Sequence, residues 1–464
     1  MAQFQVLIVG AGPGGYVAAI RAAQLGFATA IVERAELGGV CLNWGCIPTK
    51  TLLRSAELYR QAQASGSFGV VLDGTVRFDI RAAVAHSREV AGRLNRGVRG
   101  LLKKHGVQVL PGQASLQGQG RVRIEGGDGT QQVSADHIVL ATGARPRELP
   151  GFTPDGECIW TAREAMTPQA LPDSLTVIGA GAIGVEFASF YAALGVEVTL
   201  LEAAERIVPQ EDEEIAAHLQ ARLAEQGIDV HVGVRAEAPE VMASGVRMSV
   251  DAAGVRFDHH SEKVIVAAGI VGNVEDLGLE NTAVQVEKRH IVVDRWSATG
   301  EPGVYAIGDV AGPPWLAHKA SHEGLACIER IAGLADAHAL DPEAVPSCTY
   351  CHPQVASVGL TEALARERGH AVSVGRFSFV GNGKALALGD SQGFVKTVMD
   401  AHSGELLGAH LIGPDVTELI GTYALGRTLE TTELEIMRTV FPHPTLSEAL
   451  HESVLAAFDR GIHL

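Results

Sequence analysis

The sequence predicts an α/β protein: two Rossmann-like dinucleotide-binding domains, each with a three-stranded β-meander, then a separate C-terminal α+β domain. Three observations predict it. First, the segment Gly10 to Glu36 (GAGPGGYVAAIRAAQLGFATAIVERAE) returns without a gap as Gly179 to Glu205 (GAGAIGVEFASFYAALGVEVTLLEAAE). Second, each copy is followed by alternating apolar and polar residues that end in an apolar strand. Third, the texture changes from Cys348 onward, where strand-like runs precede a helical tail. With 464 residues the chain is too long for one hydrophobic core.

Each copy of the repeat reads as an apolar strand, a Gly-rich turn, an Ala-rich helix and a second apolar strand ending in Glu, which is a βαβ unit with a parallel strand pair. The alignment brings Gly10 onto Gly179, Gly12 onto Gly181, Gly15 onto Gly184 and Glu33 onto Glu202. A lone GxGxxG is weak evidence, but two in register, each followed by an acidic residue, are strong. The glycines permit a sharp turn and a close backbone approach to a pyrophosphate, and the helix N-terminus offers it unpaired N–H groups. Glu33 and Glu202 can each accept hydrogen bonds from a ribose diol. Two such sites imply two dinucleotides, FAD and a nicotinamide, although the repeat itself does not say which site takes which. Glu202 would repel a 2′-phosphate, so NAD is favoured over NADP. Arg206 lies close by and could in principle serve a phosphate.

Between the copies, Glu57 to Lys104 has a mostly helical pattern, and Gln108 to Val139 reads as a small β-meander with turns at Gly118 to Gly120 and Gly126 to Gly129. The strand Ile138 to Ala141 then leads into Thr142-Gly143, a further cofactor-binding candidate, and the same layout after the second copy ends in Val264 to Gly269. In the C-terminal domain, Val355 to Val358, Gly393 to Met399 and Leu406 to Ile412 are strand-like.

Composition narrows the partners. Hydrophobic residues make up 46% and charged residues 20%, and the 54 glycines lie among Val, Ile and Ala, as tight βα turns require. The formal net charge of -17 disfavours nucleic acid and membrane surfaces. No apolar run of about eighteen residues is present. The chain enters its first strand at Val6 without a leader pattern, which implies the cytoplasm or an equivalent reducing space. Six Cys in a chain this long do not make a disulfide scaffold, so any disulfide is expected to be catalytic.

The chemistry concentrates in Cys41-Leu-Asn-Trp-Gly-Cys46-Ile-Pro-Thr-Lys50. Two Cys five apart near a helix start can form a redox disulfide, and a nearby Lys would stabilise one thiolate. A zinc site would need a second ligand pair, which is missing nearby, so no metal is expected. Inert core cysteines are the other reading. The Gly38-Gly39 turn before the pair and Pro48 after it favour a fixed, specialised loop instead.

The run Gly38 to Lys50 resembles the redox-disulfide signature of the flavoprotein disulfide reductases, and Leu42, Ile47 and Pro48 lean towards the branch that oxidises dihydrolipoyl groups. The resemblance covers essentially the whole chain. Val304 to Val310 is similar to the family's second flavin-contacting motif, which implies that Asp309 binds the ribityl chain. Leu316 to Ala320, with Ala317, is similar to the segment beside the flavin ring. Phe441 to Glu448 resembles the C-terminal catalytic motif, in which a His and a Glu five apart form a base and its orienter. The resemblance implies that Cys46 is the thiolate facing the flavin and Cys41 the interchange thiol that attacks a substrate disulfide. It also implies that His443 moves protons, that Glu448 holds its ring, and that both come from the partner subunit of a homodimer. Lys50 and Glu186 match residues that pair beside the flavin N5, and each also reads as an ordinary salt-bridge residue.

The resulting division is 1–148 (FAD-binding, with the redox pair), 149–272 (NAD-binding), 273–344 (central, completing the FAD site) and 345–464 (interface). Cofactor-binding residues are then Gly10, Gly12, Gly15, Glu33, Thr142, Gly143, Asp309 and Ala317 for FAD, and Gly179, Gly181, Gly184, Glu186 and Glu202 for NAD. The implied partner is a separate lipoyl-carrying protein, the acyltransferase of a 2-oxo acid dehydrogenase complex or another lipoyl carrier. Some positions depart from the family pattern. Thr49 replaces a more usual Ser, and Ile270-Val271-Gly272-Asn273 stands where many relatives place an Arg and a Pro. Cys348 and Cys351 would face opposite sides of a strand, which argues against a second redox pair. Mercuric reductases usually end in a vicinal Cys pair where this sequence ends Gly461-Ile462-His463-Leu464, and glutathione-type reductases carry Arg at the place of Glu202. A flavoprotein scaffold without turnover would not need Cys41, Cys46, His443 and Glu448 together.

Overall fold

A computed structural model describes residues 2–127 and 129–463. The chain forms two compact units, Met1–Leu52 with Arg81–Arg147 and Gly269–Pro342, and Leu53–Ile80 with Glu148–Ala268 and Glu343–Leu464.

In the first unit the strand Ala2–Val9 ends in four consecutive buried residues, as a central parallel strand covered on both faces must. It pairs in parallel with Thr29–Glu33 on one side and with Gly129–Leu140 on the other. Val304–Ala306 adds a further parallel strand beyond Ile138–Leu140. The long strand Gly129–Leu140 has two roles. Its first half closes an antiparallel meander with Gln113–Leu116 and Arg121–Gly126, and its second half runs inside the parallel sheet. Gln108–Pro111 is not a meander strand, because it lies in parallel beside Thr29–Glu33. The alternation that marks a meander strand marks a parallel edge strand equally well. The helical stretch is also divided: Cys46–Ala64 and Ile80–Lys104 are α-helices, and residues 69–79 form none.

The second unit repeats the plan. Its parallel sheet has the order Asp229–His231, Glu197–Leu201, Ser174–Ile178, Lys263–Val266, Ile159–Trp160, and the meander is Val234–Met242, Gly245–Ala252 and Val255–Ser261. An antiparallel five-stranded sheet follows in the order Ser347–Thr349, Gln354–Gly359, Leu406–Gly413, Phe394–Asp400, Val372–Ser378, with helices Val416–Thr428, Glu433–Arg438 and Glu448–Ala457. Cys348 lies on the first of these strands but Cys351 lies past its end, so the opposite-faces argument does not apply to the pair. The strand stops because the Tyr350 N–H leaves the ladder and donates to Glu186 at 2.9 Å. Among the described residues no helix is long and apolar enough to cross a membrane.

One ionic cluster joins the two parts of this unit. Lys396, 2% exposed in the middle of the antiparallel sheet, donates to both oxygens of Asp212 at 2.9 and 3.0 Å and to Glu214 at 2.7 Å. Asp212 in turn caps the helix Glu213–Glu225. The Arg376 guanidinium holds Glu214 well below the ordinary carboxylate range, at about 2, with burial opposing and Lys396 assisting. Replacing Lys396 by Met strands a buried carboxylate and should cost about 3–5 kcal/mol, measured by denaturant unfolding. Because Glu214 titrates lower in the folded state, its contribution is complete above the unfolded carboxylate pKa of about 4.3 and lost as pH falls towards 2. Stability of the wild type measured through that window should therefore decline more steeply than that of Glu214→Gln.

Candidate redox and nucleotide sites

The redox pair straddles a helix break. Cys41 sits on the short helix Gly39–Trp44, and Cys46 is the first residue of Cys46–Ala64. Gly45 between them takes φ -157° and ψ -115°, which ends one helix before the next begins. Cys46 therefore occupies the positive end of a 19-residue helix, where a thiolate is stabilised. A side-chain hydrogen bond with Cys46, burial and the Cys46 charge push the Cys41 thiol up, while Lys50 and the Cys46 backbone N–H act in the opposite sense.

The first Gly-rich turn is built by close backbone approach. Gly10 has φ +102°, and a Cβ there would lie 2.3 Å from the Ala141 carbonyl oxygen. A Cβ at Gly15 would lie 1.9 Å from the Gly10 carbonyl oxygen. At Gly12 a Cβ would meet nothing within 4 Å, so this face of the turn is open. The helix Pro13–Gln24 has no side-chain cap, which leaves its first N–H groups for an anion. Glu33 accepts from Ala11 N–H at 2.7 Å and from Ala35 N–H at 2.8 Å, which fixes its carboxylate beside the turn. An open turn, an uncapped helix and an oriented carboxylate fit a dinucleotide.

The remaining residues assigned to this cofactor are also held firmly. Thr142 Oγ1 donates to the Asn273 carbonyl, and Asn273 returns hydrogen bonds to the carbonyls of Thr142 and Gly143, all at 2.8 to 2.9 Å. Arg145 also donates to the Asn273 side chain, at 3.1 Å, and holds Glu275 through two 2.8 Å bonds. Asp309 lies in the turn Gly308–Ala311. Burial raises its carboxyl pKa, against the pull of Lys319. Lys319 is buried and donates to the Gly312 carbonyl at 2.8 Å, and its partner Glu323 accepts from the Gly308 N–H at 2.7 Å. Ala317 opens the helix Ala317–Ile331, which has no side-chain cap.

The second turn copies the first. Gly179 has φ +102°, a Cβ at Gly184 would lie 1.8 Å from the Gly179 carbonyl oxygen, and Gly181 faces open space. Glu202 accepts from Ala180 N–H at 2.6 Å and from Ala204 N–H at 2.8 Å. Arg206 is exposed and donates to the Pro209 carbonyl at 3.2 Å. Glu186, on the helix Ala182–Ala193, is buried and accepts from the Tyr350 N–H.

His443 and Glu448 are brought together, with Nδ1 of the His 2.9 Å from a Glu oxygen. The second oxygen of Glu448 accepts from the Thr445 N–H at 2.9 Å. Burial works against the Glu448 charge, but the Thr445 N–H and His443 outweigh it and hold the carboxyl below its usual range. The imidazole is 79% exposed, so its free nitrogen is accessible.

Comparison with known proteins places this geometry. Residues 4–324 match the pyridine nucleotide-disulphide oxidoreductase family, and residues 345–454 match the dimerisation domain of the same proteins. The chain belongs to this family. Two relatives named dihydrolipoyl dehydrogenase, from Rhizobium etli and Zymomonas mobilis, are each 50% identical, with 99% of both chains covered. The LpdA structure from Mycobacterium tuberculosis superposes with a TM-score of 0.90 at 28% identity, covering 98% of this chain and 99% of that one. The flavoprotein disulfide reductase RclA from Escherichia coli superposes at 0.87, with 27% identity and coverage of 98% and 99%.

Within this family member, sequence reasoning missed Asn273, Lys319 and Glu323 as supports of the residues expected at the cofactor site. Lys319 and Glu323 carry the i, i+4 signal of a helical ion pair. Asn273 carries no signal, since only the fold brings it to Thr142. Truncating Asn273 to Ala removes one neutral hydrogen bond from the Thr142-Gly143 loop and should speed flavin release about three- to tenfold. Flavin fluorescence after dilution measures it.

Proposed function

We propose that this chain is an FAD-dependent dihydrolipoyl dehydrogenase that oxidises protein-bound dihydrolipoyl groups and reduces NAD. The carrying observation is the Cys41–Cys46 pair at the start of a long helix, in a chain whose full-length relatives include dihydrolipoyl dehydrogenases. FAD, which the Gly10–Gly15 turn, Glu33 and Asp309 would hold, would supply the two-electron redox chemistry that links the thiols to NAD. The protein's residues do the rest. His443 takes a proton from the dihydrolipoyl dithiol, because only a thiolate attacks a disulfide. That thiolate attacks the Cys41 sulfur, and the Cys41–Cys46 bond breaks with Cys46 leaving as a thiolate at the helix N-terminus. The second substrate sulfur then displaces Cys41, which closes the lipoyl disulfide and leaves Cys41 protonated. Glu448 orients the His443 ring and stabilises its charged form.

The exposure of His443 and its place within the dimerisation-domain match support a homodimer in which His443 of one chain serves the redox pair of the other. The proposed partner is a lipoyl-carrying protein. The proposed location is the cytoplasm, supported by a redox pair that must be re-reduced by thiols.

The turnover test is NAD reduction by dihydrolipoamide. His443→Gln should lower kcat by about two to four orders of magnitude, and Glu448→Gln by less, because part of the ring geometry survives. Near-normal turnover of His443→Gln would refute its role. Glu202 should make kcat/KM for NAD exceed that for NADP by at least about tenfold. Equal use of NADP would overturn the nucleotide assignment and turn attention to Arg206.

A further inference from the structure

The helix Ile80–Lys104 carries three polar side chains on one face, and all three reach the two segments that bear the cysteines. Ser87, fully buried, lies 3.4 Å from the Pro48 carbonyl on the Cys46 helix. About two turns on, Asn95 donates to the Leu37 carbonyl at 2.7 Å and approaches the Asn43 side chain at 3.4 Å. Between them, the Arg88 guanidinium lies 3.9 Å over the Trp44 ring and hydrogen-bonds the Asn43 carbonyl. That carbonyl belongs to the last turn of Gly39–Trp44, which lacks helical partners and favours a cation. From the other side, Trp44 Nε1 donates to Glu36 at 2.5 Å. Trp44 is thus held between Glu36 and Arg88, next to the Gly45 break.

We infer that Arg88 is a positioning residue for the redox pair: through Trp44 and the Asn43 carbonyl it fixes the Cys41 segment against the Cys46 helix, and so sets the ease of closing the Cys41–Cys46 disulfide. Closing that bond requires both segments to hold one relative geometry. A clamp that fixes it in advance removes part of the ordering cost from the oxidised form. The guanidinium plane and fork match a stacked ring and a carbonyl together, which a Lys ammonium cannot do.

This inference rests on the redox reading of Cys41 and Cys46, and the test separates the two. Holoenzyme without nicotinamide is equilibrated anaerobically in buffers of reduced glutathione and glutathione disulfide. Disulfide closure releases two protons and passes two electrons to glutathione disulfide, which is cleaved to two glutathione molecules. The Cys41–Cys46 peptide is then trapped by alkylation and weighed. In Arg88→Met the equilibrium constant for disulfide formation should fall about three- to tenfold, a rise in potential of up to about 30 mV. Arg88→Lys and Trp44→Phe should fall between this variant and the wild type, and they decide the matter if Arg88→Met does not fold. An equilibrium within twofold of wild type in the folded variants overturns the clamp, even where thermal stability drops. A wild-type peptide that never forms the disulfide overturns the redox reading itself.

Discussion

Two sulfurs in contact cannot both be negative without strong repulsion, and the first unit is arranged around that fact. The long helix begins at Cys46 and places the positive end of its dipole there. Lys50, one turn along the same helix, draws the Cys41 thiol down, but by less than the Cys46 sulfur and burial push it up. Cys41 lies on a helix of only six residues, and the neighbouring sulfur and burial push its thiol up. In the proposed mechanism the asymmetry gives two identical side chains different chemistry: one would be the better leaving group and electron donor, the other the sulfur that meets an outside thiol. Chain direction produces it, since the break at Gly45 ends one helix on Cys41's side and starts another on Cys46's.

The nucleotide turns obey a different constraint with the same economy. A backbone that must approach a pyrophosphate closely cannot carry side chains, so the glycines leave the turn without lateral support. The support comes from the carboxylate at the end of the next strand. Glu33 grips the N–H of Ala11, and Glu202 grips that of Ala180, at nearly the same distances. Each Glu therefore has a structural duty as well as an expected ribose contact. A neutral or basic replacement would change sugar recognition and loosen the turn at once.

Much of this was legible in the sequence because it is local. The repeat, both strand-turn-helix units, the cysteine pair and the His443–Glu448 spacing are each written within a few tens of residues. What was not legible depends on contacts far apart in the chain. Gln108–Pro111 reads as a meander strand until Thr29–Glu33 is seen beside it. Val372–Ser378 was missed as a strand because its partner lies elsewhere, at Phe394–Asp400. Asn273 looks like the end of a departure from the family pattern, yet it is tied to Thr142 and Gly143. Lys396 is apolar in position and charged in chemistry, which no periodicity explains before Asp212 and Glu214 are found opposite it.

The departures gain meaning once their surroundings are known. Asn273 ends the segment Ile270-Val271-Gly272-Asn273, and its surroundings include a guanidinium supplied from another part of the chain. Arg145, from the strand Ala144–Pro146 that pairs with Ile270–Gly272, reaches the Gly272 carbonyl, the Asn273 side chain and Glu275. Pairing of these two short strands is what makes this reach possible, because it fixes Arg145 directly opposite Val271. Glu275 also accepts from Arg289 at 2.7 Å, so one exposed carboxylate gathers two cations at the edge of the Thr142-Gly143 loop. Exposed ion pairs of this kind add little stability. Their value here is directional: they hold Asn273 in the one orientation from which it can hydrogen-bond the loop.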